Sequence, residues 1–244
     1  MLEKVESSKK DNIMKDLQQN HLLKALFFFR NSKVNKNMKF YDISLQLDES
    51  LVIYPGDMTV KLQQLKNVEK DQWNLTGLSL STHSGTHVDT DLHISASGKP
   101  VSEIELERCY GKALVVDLND TSLGESISVQ QLKSQLPSPQ NCKNLIILFK
   151  TGNSKVGYKS FHEDWVDLSS EGAEYLNRCQ IKAVGIDSLT IGSYETHRAL
   201  LLHRILVYEG LDLSAVEPGE YLFVGFPLKI KAEGGMVRAV LIQE

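Results

Sequence analysis

The sequence predicts an α/β protein, a mixed-sheet single domain. Three observations lead there. Strand-length apolar runs recur along the chain, at Ala113–Leu118, Leu145–Lys150, Ile181–Ile186 and Ile205–Tyr208. The helical stretches between them are few and short. No internal repeat or inter-domain linker interrupts residues 38–244, and 244 residues suffice for one full core.

The elements follow in order. Phe40–Leu45 reads as a first strand, and Tyr54-Pro55-Gly56-Asp57 as a turn. Leu75–Thr82 alternates apolar and polar residues, as a half-buried strand does. Ser97–Pro100 is a turn that leads into a short acidic helix over Ser102–Glu107. Val129–Gln135 is a helix capped by Ser128, and Ser169–Leu176 and Thr196–His203 are two more. Tyr221–Pro227 and Arg238–Ile242 complete the strands; Asp187 reads as a strand-end cap and Arg238 as an ion-pair partner.

Residues 1–37 are different: rich in Lys, Asn and Gln and without glycine. Ile13, Met14, Leu17 and the run Leu22–Phe29 suit one amphipathic helix. Three readings of this N-terminal extension stand: a docking helix, a disordered arm, or residues upstream of a start at Met38.

Composition excludes several function classes. With 27 basic and 31 acidic residues and no basic stripe, nucleic-acid binding has no support. No run reaches the length of a membrane span, and Leu22–Phe29 lacks a signal-peptide cleavage site. Cys109, Cys142 and Cys179 are odd in number and widely spaced, as in a reducing compartment. The expected location is cytoplasmic.

The chemistry concentrates in Thr82–His93. His83, His87, Asp89, Asp91 and His93 put three of seven histidines and two carboxylates within eleven residues. Imidazole nitrogen and carboxylate oxygen are ligands for zinc and similar divalent ions. A straight strand would hold the His83 and His87 Cα atoms roughly 13 Å apart, too far for one ion. The chain must bend between them, and Ser84-Gly85 supplies the bend. β-Branched Thr82, Thr86, Val88 and Thr90 argue against a helix. The stretch therefore reads as a strand end turning into an irregular, metal-facing loop.

The same stretch resembles the metal-dependent cyclase family, which includes bacterial kynurenine formamidase and isatin hydrolase. The family signature is His-x-Gly-Thr-His-x-Asp-x-Pro-x-His. His83, Gly85, Thr86, His87, Asp89 and His93 match it, and Asp91 replaces the proline. The resemblance covers roughly residues 40–244, including Lys150-Thr151-Gly152, Val184–Ser188, Pro227-Leu228-Lys229 and Val237–Val240. It implies the cyclase-family, swivelling β/β/α-like fold. It also implies a histidine and a glutamate twelve residues apart as further ligands, and His197 and Glu209 have that spacing.

By that resemblance His83, His87 and Asp89 hold one divalent ion. His197 and Glu209 hold a second when it is present, with Asp89 and Glu209 able to bridge. Zinc and manganese both suit this donor set. His93 is the expected general acid/base, its alternative being a hydrogen-bond partner of a ligand. Tyr54 stands where the family turn carries an aromatic ring that lines the substrate pocket. Asp91 could bind the ion, accept a hydrogen bond from a ligand, or face solvent; the hydrogen bond is the favoured reading.

The implied activity is a metal-dependent amidohydrolase, arylformamidase-like, acting on a small aromatic amide. Opening of an isatin-like cyclic amide and a non-catalytic metal-binding scaffold are the alternatives. A homodimer or homotetramer is the expected assembly. Ligation needs neutral imidazoles, so metal should be lost below about pH 6.

Overall fold

A computed structural model describes residues 38–158 and 160–243, so the N-terminal extension lies outside the described residues. No helix among these is long and apolar enough to cross a membrane. Phe40–Gln243 forms one compact unit.

The strands of the central sheet are β1 (Lys39–Asp42), β4 (His87–Asp89), β5 (Tyr110–Leu118), β7 (Ile146–Thr151), β9 (Ala183–Ile186), β10 (Leu206–Glu209), β11 (Gly219–Val224), β12 (Gly234–Met236) and β13 (Val240–Gln243). Two more, β2 (Lys61–Lys66) and β3 (Leu75–Ser79), form a separate antiparallel ribbon, and β6 (Ser126–Ile127) pairs β8 (Asp167–Leu168). The nine-stranded sheet runs β1-β13-β11-β5-β7-β9-β10-β4-β12. Its centre, β5-β7-β9-β10, is parallel, while β11, β13, β4 and β12 pair antiparallel.

Parallel strands β7, β9 and β10 are buried on both faces nearly throughout, which is why they read as apolar runs; β5 exposes Tyr110, Lys112 and Asp117. Along β7, Ile147 and Phe149 enter one core cluster and Ile146 and Leu148 the other. The first cluster is closed by helices Val129–Gln135, Ser170–Arg178 and Tyr194–Leu201. Each begins at a serine that accepts a backbone N–H in the first turn: Ser128, Ser169 and Ser193. Gln131 completes a capping box with Ser128.

Several local expectations change. The acidic helix at 102–107 is two separate 3₁₀ turns, Val101–Glu103 and Leu106–Arg108, parted by extended backbone at Ile104. β2 carries no sequence signal because its Lys-Leu-Gln-Gln-Leu-Lys pattern is exposed along nearly its whole length and lacks β-branched residues. Arg238 does pair with Asp42, through both Nε and Nη2. Asp187 is a buried tie between β7 and β9: it accepts the Thr151 N–H and hydroxyl and the Ser154 N–H. Burial pushes its carboxyl up to about 6 against these hydrogen bonds.

One junction places the ligand motif on the sheet. Gly210, just past β10, has φ +64°, and a Cβ there would stand 2.5 Å from the Gly85 carbonyl oxygen. The Thr86 hydroxyl donates to the Gly210 carbonyl, and the Leu45 N–H donates to the Thr86 hydroxyl. The close approach thus fixes the 82–86 bend against the end of β10. Gly210→Ala is expected to cost more than about 1 kcal/mol, through the positive φ and the contact with Gly85. Thermal melting of the purified variant should show a fall of at least ~2–4 °C; an unchanged Tm would contradict this packing.

Candidate metal centre

The register of three antiparallel strands builds the site. His87 and Asp89 lie two apart on β4 and so share a face, while Val88 points into the core behind them. Glu209 is the direct partner of His87 across β10, and Gly234 is the partner of Asp89 across β12. Cross-strand partners project to the same side. His87 Nε2 therefore lies 3.3 Å from Glu209 Oε2 and 3.6 Å from Asp89 Oδ1.

His197 enters from the first turn of the Tyr194–Leu201 helix. Its Nε2 stands 3.1 Å from Glu209 Oε1 and 3.9 Å from Asp89 Oδ2. Glu209 Oε1 also accepts the Ile191 N–H at 2.6 Å. His83 comes from the bend before β4, with Nδ1 3.1 Å from Asp89 Oδ1. His93, at the end of the Asp91–His93 3₁₀ turn, is the exposed member; its ring lies 4.5 Å from that of His83 and 5.6 Å from that of His197.

Ligand atoms about 2.0–2.1 Å from one tetrahedral ion stand roughly 3–3.5 Å from one another. Most of the separations above fall in or near that range. His87 Nε2 and both carboxylate oxygens of Asp89 are buried without a hydrogen-bond partner among the described residues. Buried polar atoms are normally satisfied, and three orphans facing each other fit a cation between them. The outer nitrogens agree: His87 Nδ1 donates to the Gly85 carbonyl and His197 Nδ1 to the Ser193 carbonyl, so that each ring, once neutral, turns its Nε2 lone pair inward.

Among the described residues, two donor groups satisfy the mutual distances of a metal site, His83-Asp89-His93 and His87-Asp89-Glu209. Asp89 belongs to both. The division differs from the expected one: His87 sides with Glu209, its strand partner, while His93 stands beside His83. Asp91 turns away from this cluster. Its Oδ1 accepts the Lys99 N–H at 2.9 Å and closes the 91–99 loop. Tyr54 is half exposed, its ring edge-on to Phe161 at 6.0 Å.

Sequence reading missed Glu233. Its Oε1 accepts the Thr82 hydroxyl at 2.7 Å and lies 3.3 Å from His83 Nε2. Nothing in Ala232-Glu233-Gly234-Gly235 has a ligand pattern, and the partners are about 150 residues apart. The adjacent glycines are the only available hint: a Cβ on Gly234 would meet His83 Cε1 at 3.0 Å and Asp89 Oδ1 at 3.1 Å.

The profile of the Cyclase family, described as "Putative cyclase", matches residues 41–193. The chain belongs to the cyclase family. A cyclase-family relative, the kynurenine formamidase of Erythrobacter litoralis, is 31% identical over 210 residues, covering 83% of this chain and 93% of its own. A structure described as a predicted metal-dependent hydrolase from Bacillus stearothermophilus superposes with a TM-score of 0.74 at 26% identity, covering 85% of this chain and all of that one. Isatin hydrolase A from Labrenzia aggregata shares the fold, with a TM-score of 0.73 at 17% identity over 89% of this chain and 98% of its own.

Protonation in this cyclase-family site follows from its charges. Burial alone would depress His87, but Asp89 and Glu209 outweigh it and raise the imidazole to about 9. His197 is raised to about 9 in the same way, against burial, by Glu209 and Asp89. Burial pushes Glu209 up, yet His197 and His87 outweigh it and hold its carboxyl below the usual range. The metal-free cluster thus carries imidazolium where an ion would sit. His93 goes the other way: burial, together with His83 and His197, lowers it despite Asp89 and Glu209.

Proton competition therefore reaches well above the pH 6 that free histidines suggest. Below about pH 9 His87 and His197 are both charged, so a metal that takes both must expel two protons. Apparent metal affinity should climb by up to about 100-fold per pH unit between pH 6 and 8, then level off near 9. Calorimetric titration in buffers of different protonation enthalpy counts those protons; release of none would contradict the protonated cluster.

Proposed function

We propose that this cyclase-family enzyme is a metal-dependent amidohydrolase that cleaves the C–N bond of an aryl formamide. The observation that carries this reading is the buried set of unpartnered donors, His87 Nε2 and the two Asp89 oxygens, completed across the strand by Glu209. Kynurenine formamidases are among its relatives at about 30% identity and match nearly their full length. His83, His87, Asp89, His197 and Glu209 would hold one or two divalent ions, zinc or manganese. None of the three cysteines belongs to either donor group, so no thiolate selects between these metals.

A bound divalent ion supplies Lewis acidity, which polarises a carbonyl and makes water more acidic. The chain's own residues do the rest. His93 is neutral near pH 7 because its surroundings disfavour the charged form, so it can accept a proton from the attacking water. As the new C–O bond forms and the C–N bond breaks, that proton passes from His93 to the departing amine nitrogen. Formate and the free arylamine leave. Asp89 and Glu209 set two buried carboxyl groups among the imidazoles, which ties productive chemistry to the presence of a cation.

Tyr54 is the proposed contact for the aryl ring, next to Phe161. The segment carrying Phe161 is anchored beside the end of β10, where the Tyr158 hydroxyl donates to the Leu211 carbonyl two residues past Glu209. A homodimer or homotetramer is supported by the β2–β3 ribbon, which exposes Leu62, Leu65, Leu75 and Leu78 together with Trp73 in the turn between the strands. The three free, buried cysteines support a reducing, cytoplasmic setting.

Assaying N-formylkynurenine and isatin side by side, with metal content measured, tests the reading. The expected outcome is release of formate, loss of turnover with a chelator, and no ring opening of isatin. His93→Ala should keep its metal and lose about 10²–10⁴-fold in kcat. Wild-type-like turnover in that variant would remove His93 as acid/base, and loss of its metal would make it a ligand.

A further inference from the structure

Each ring in this site has an inward and an outward nitrogen. His87 and His197 turn Nε2 inward and tie Nδ1 to backbone carbonyls, at Gly85 and Ser193. His83 is reversed: its Nδ1 faces Asp89 at 3.1 Å, and its Nε2 faces Glu233 Oε1 at 3.3 Å. The outward partner of His83 is thus a carboxylate on a side chain.

Glu233 is itself held in place. Its Oε1 takes the Thr82 hydroxyl at 2.7 Å, and its backbone carbonyl takes both the Thr90 N–H at 3.0 Å and the Thr90 hydroxyl at 2.9 Å. Thr82 immediately precedes His83 and Thr90 immediately follows Asp89. The turn into β12 is therefore fastened to both ends of the ligand motif. Gly234 next to it leaves room for the His83 ring, which a Cβ would touch at 3.0 Å.

We infer that Glu233 is a positioning residue: it accepts the Nε2–H of His83, fixes that ring with Nδ1 toward the metal, and strengthens it as a ligand. A carboxylate behind a ligating imidazole selects the tautomer and raises its basicity, and removing such partners costs about 10–100-fold in metal affinity. The inference rests on the metal reading of the site. It adds a segment 150 residues away in sequence to what holds His83.

Competitive titration of metal-free full-length protein with zinc, and in parallel manganese, against a chromophoric chelator tests it. Glu233→Ala should weaken the ion held by His83 about 10–100-fold, while Glu233→Gln, whose amide oxygen still accepts from Thr82 and His83, recovers most of the loss. The metal-free Tm of both variants should stay near wild type. In the zinc-loaded wild type, ¹⁵N spectra of the rings should show His83 as the Nε2–H tautomer and His87 and His197 as Nδ1–H. Wild-type affinity in Glu233→Ala overturns the inference alone, as does His83 in the Nδ1–H form. So does equal weakening in both variants with a lowered metal-free Tm, which marks a merely structural turn. A wild-type protein that binds neither ion brings down the metal reading and the inference together.

Discussion

Asp89 is the residue on which the structure turns. Its side chain is wholly buried on the middle strand of an antiparallel triple, and neither oxygen accepts a hydrogen bond from the described residues. An isolated carboxylate in such a place is among the costliest groups a fold can bury. The surrounding chain offers imidazoles on three sides and a second carboxylate, Glu209, nearby. Adding Glu209 makes sense only if positive charge is supplied in the middle. In the metal-free protein the histidines supply it by staying protonated; a divalent ion does so better.

The rest of the fold can be understood as the means of holding that arrangement. Parallel β5, β7, β9 and β10 give a rigid two-sided core, and the site sits where the sheet turns antiparallel. Register does the alignment: His87 opposite Glu209, Asp89 opposite Gly234. Gly85 and Gly210 let two backbones touch at the bend, and Ser193 starts the helix that delivers His197. Donors carried by different elements meet because each element is pinned within a turn or two of its ligand.

Much of this was legible in the sequence, for a physical reason. Chelating side chains of two types packed into eleven residues have few other uses, and the apolar runs marked the buried parallel strands on sight. His197 and Glu209 were readable by their spacing and its likeness to a known family. What spacing does not convey is which donors lie side by side: strand pairing sets His87 against Glu209, and His93 stands beside His83. Glu233 was invisible because a single glutamate between small residues has no pattern, and its meaning comes from a contact made across the fold. The partner of Asp91 is not readable from spacing either: a 3₁₀ turn begins at that residue, and its carboxylate accepts from Lys99 within its own loop.

The family assignment and the geometry meet on one point, a cation among imidazoles and carboxylates, beside an exposed histidine, His93, whose charged form its surroundings disfavour. A crystal of the protein grown with zinc, with diffraction recorded on both sides of the zinc absorption edge, tests that point most directly. The account predicts an anomalous peak about 2.0–2.2 Å from His87 Nε2 and from carboxylate oxygens of Asp89 and Glu209. A zinc-saturated crystal with its anomalous density elsewhere, and those three side chains bonded only to one another, would contradict it.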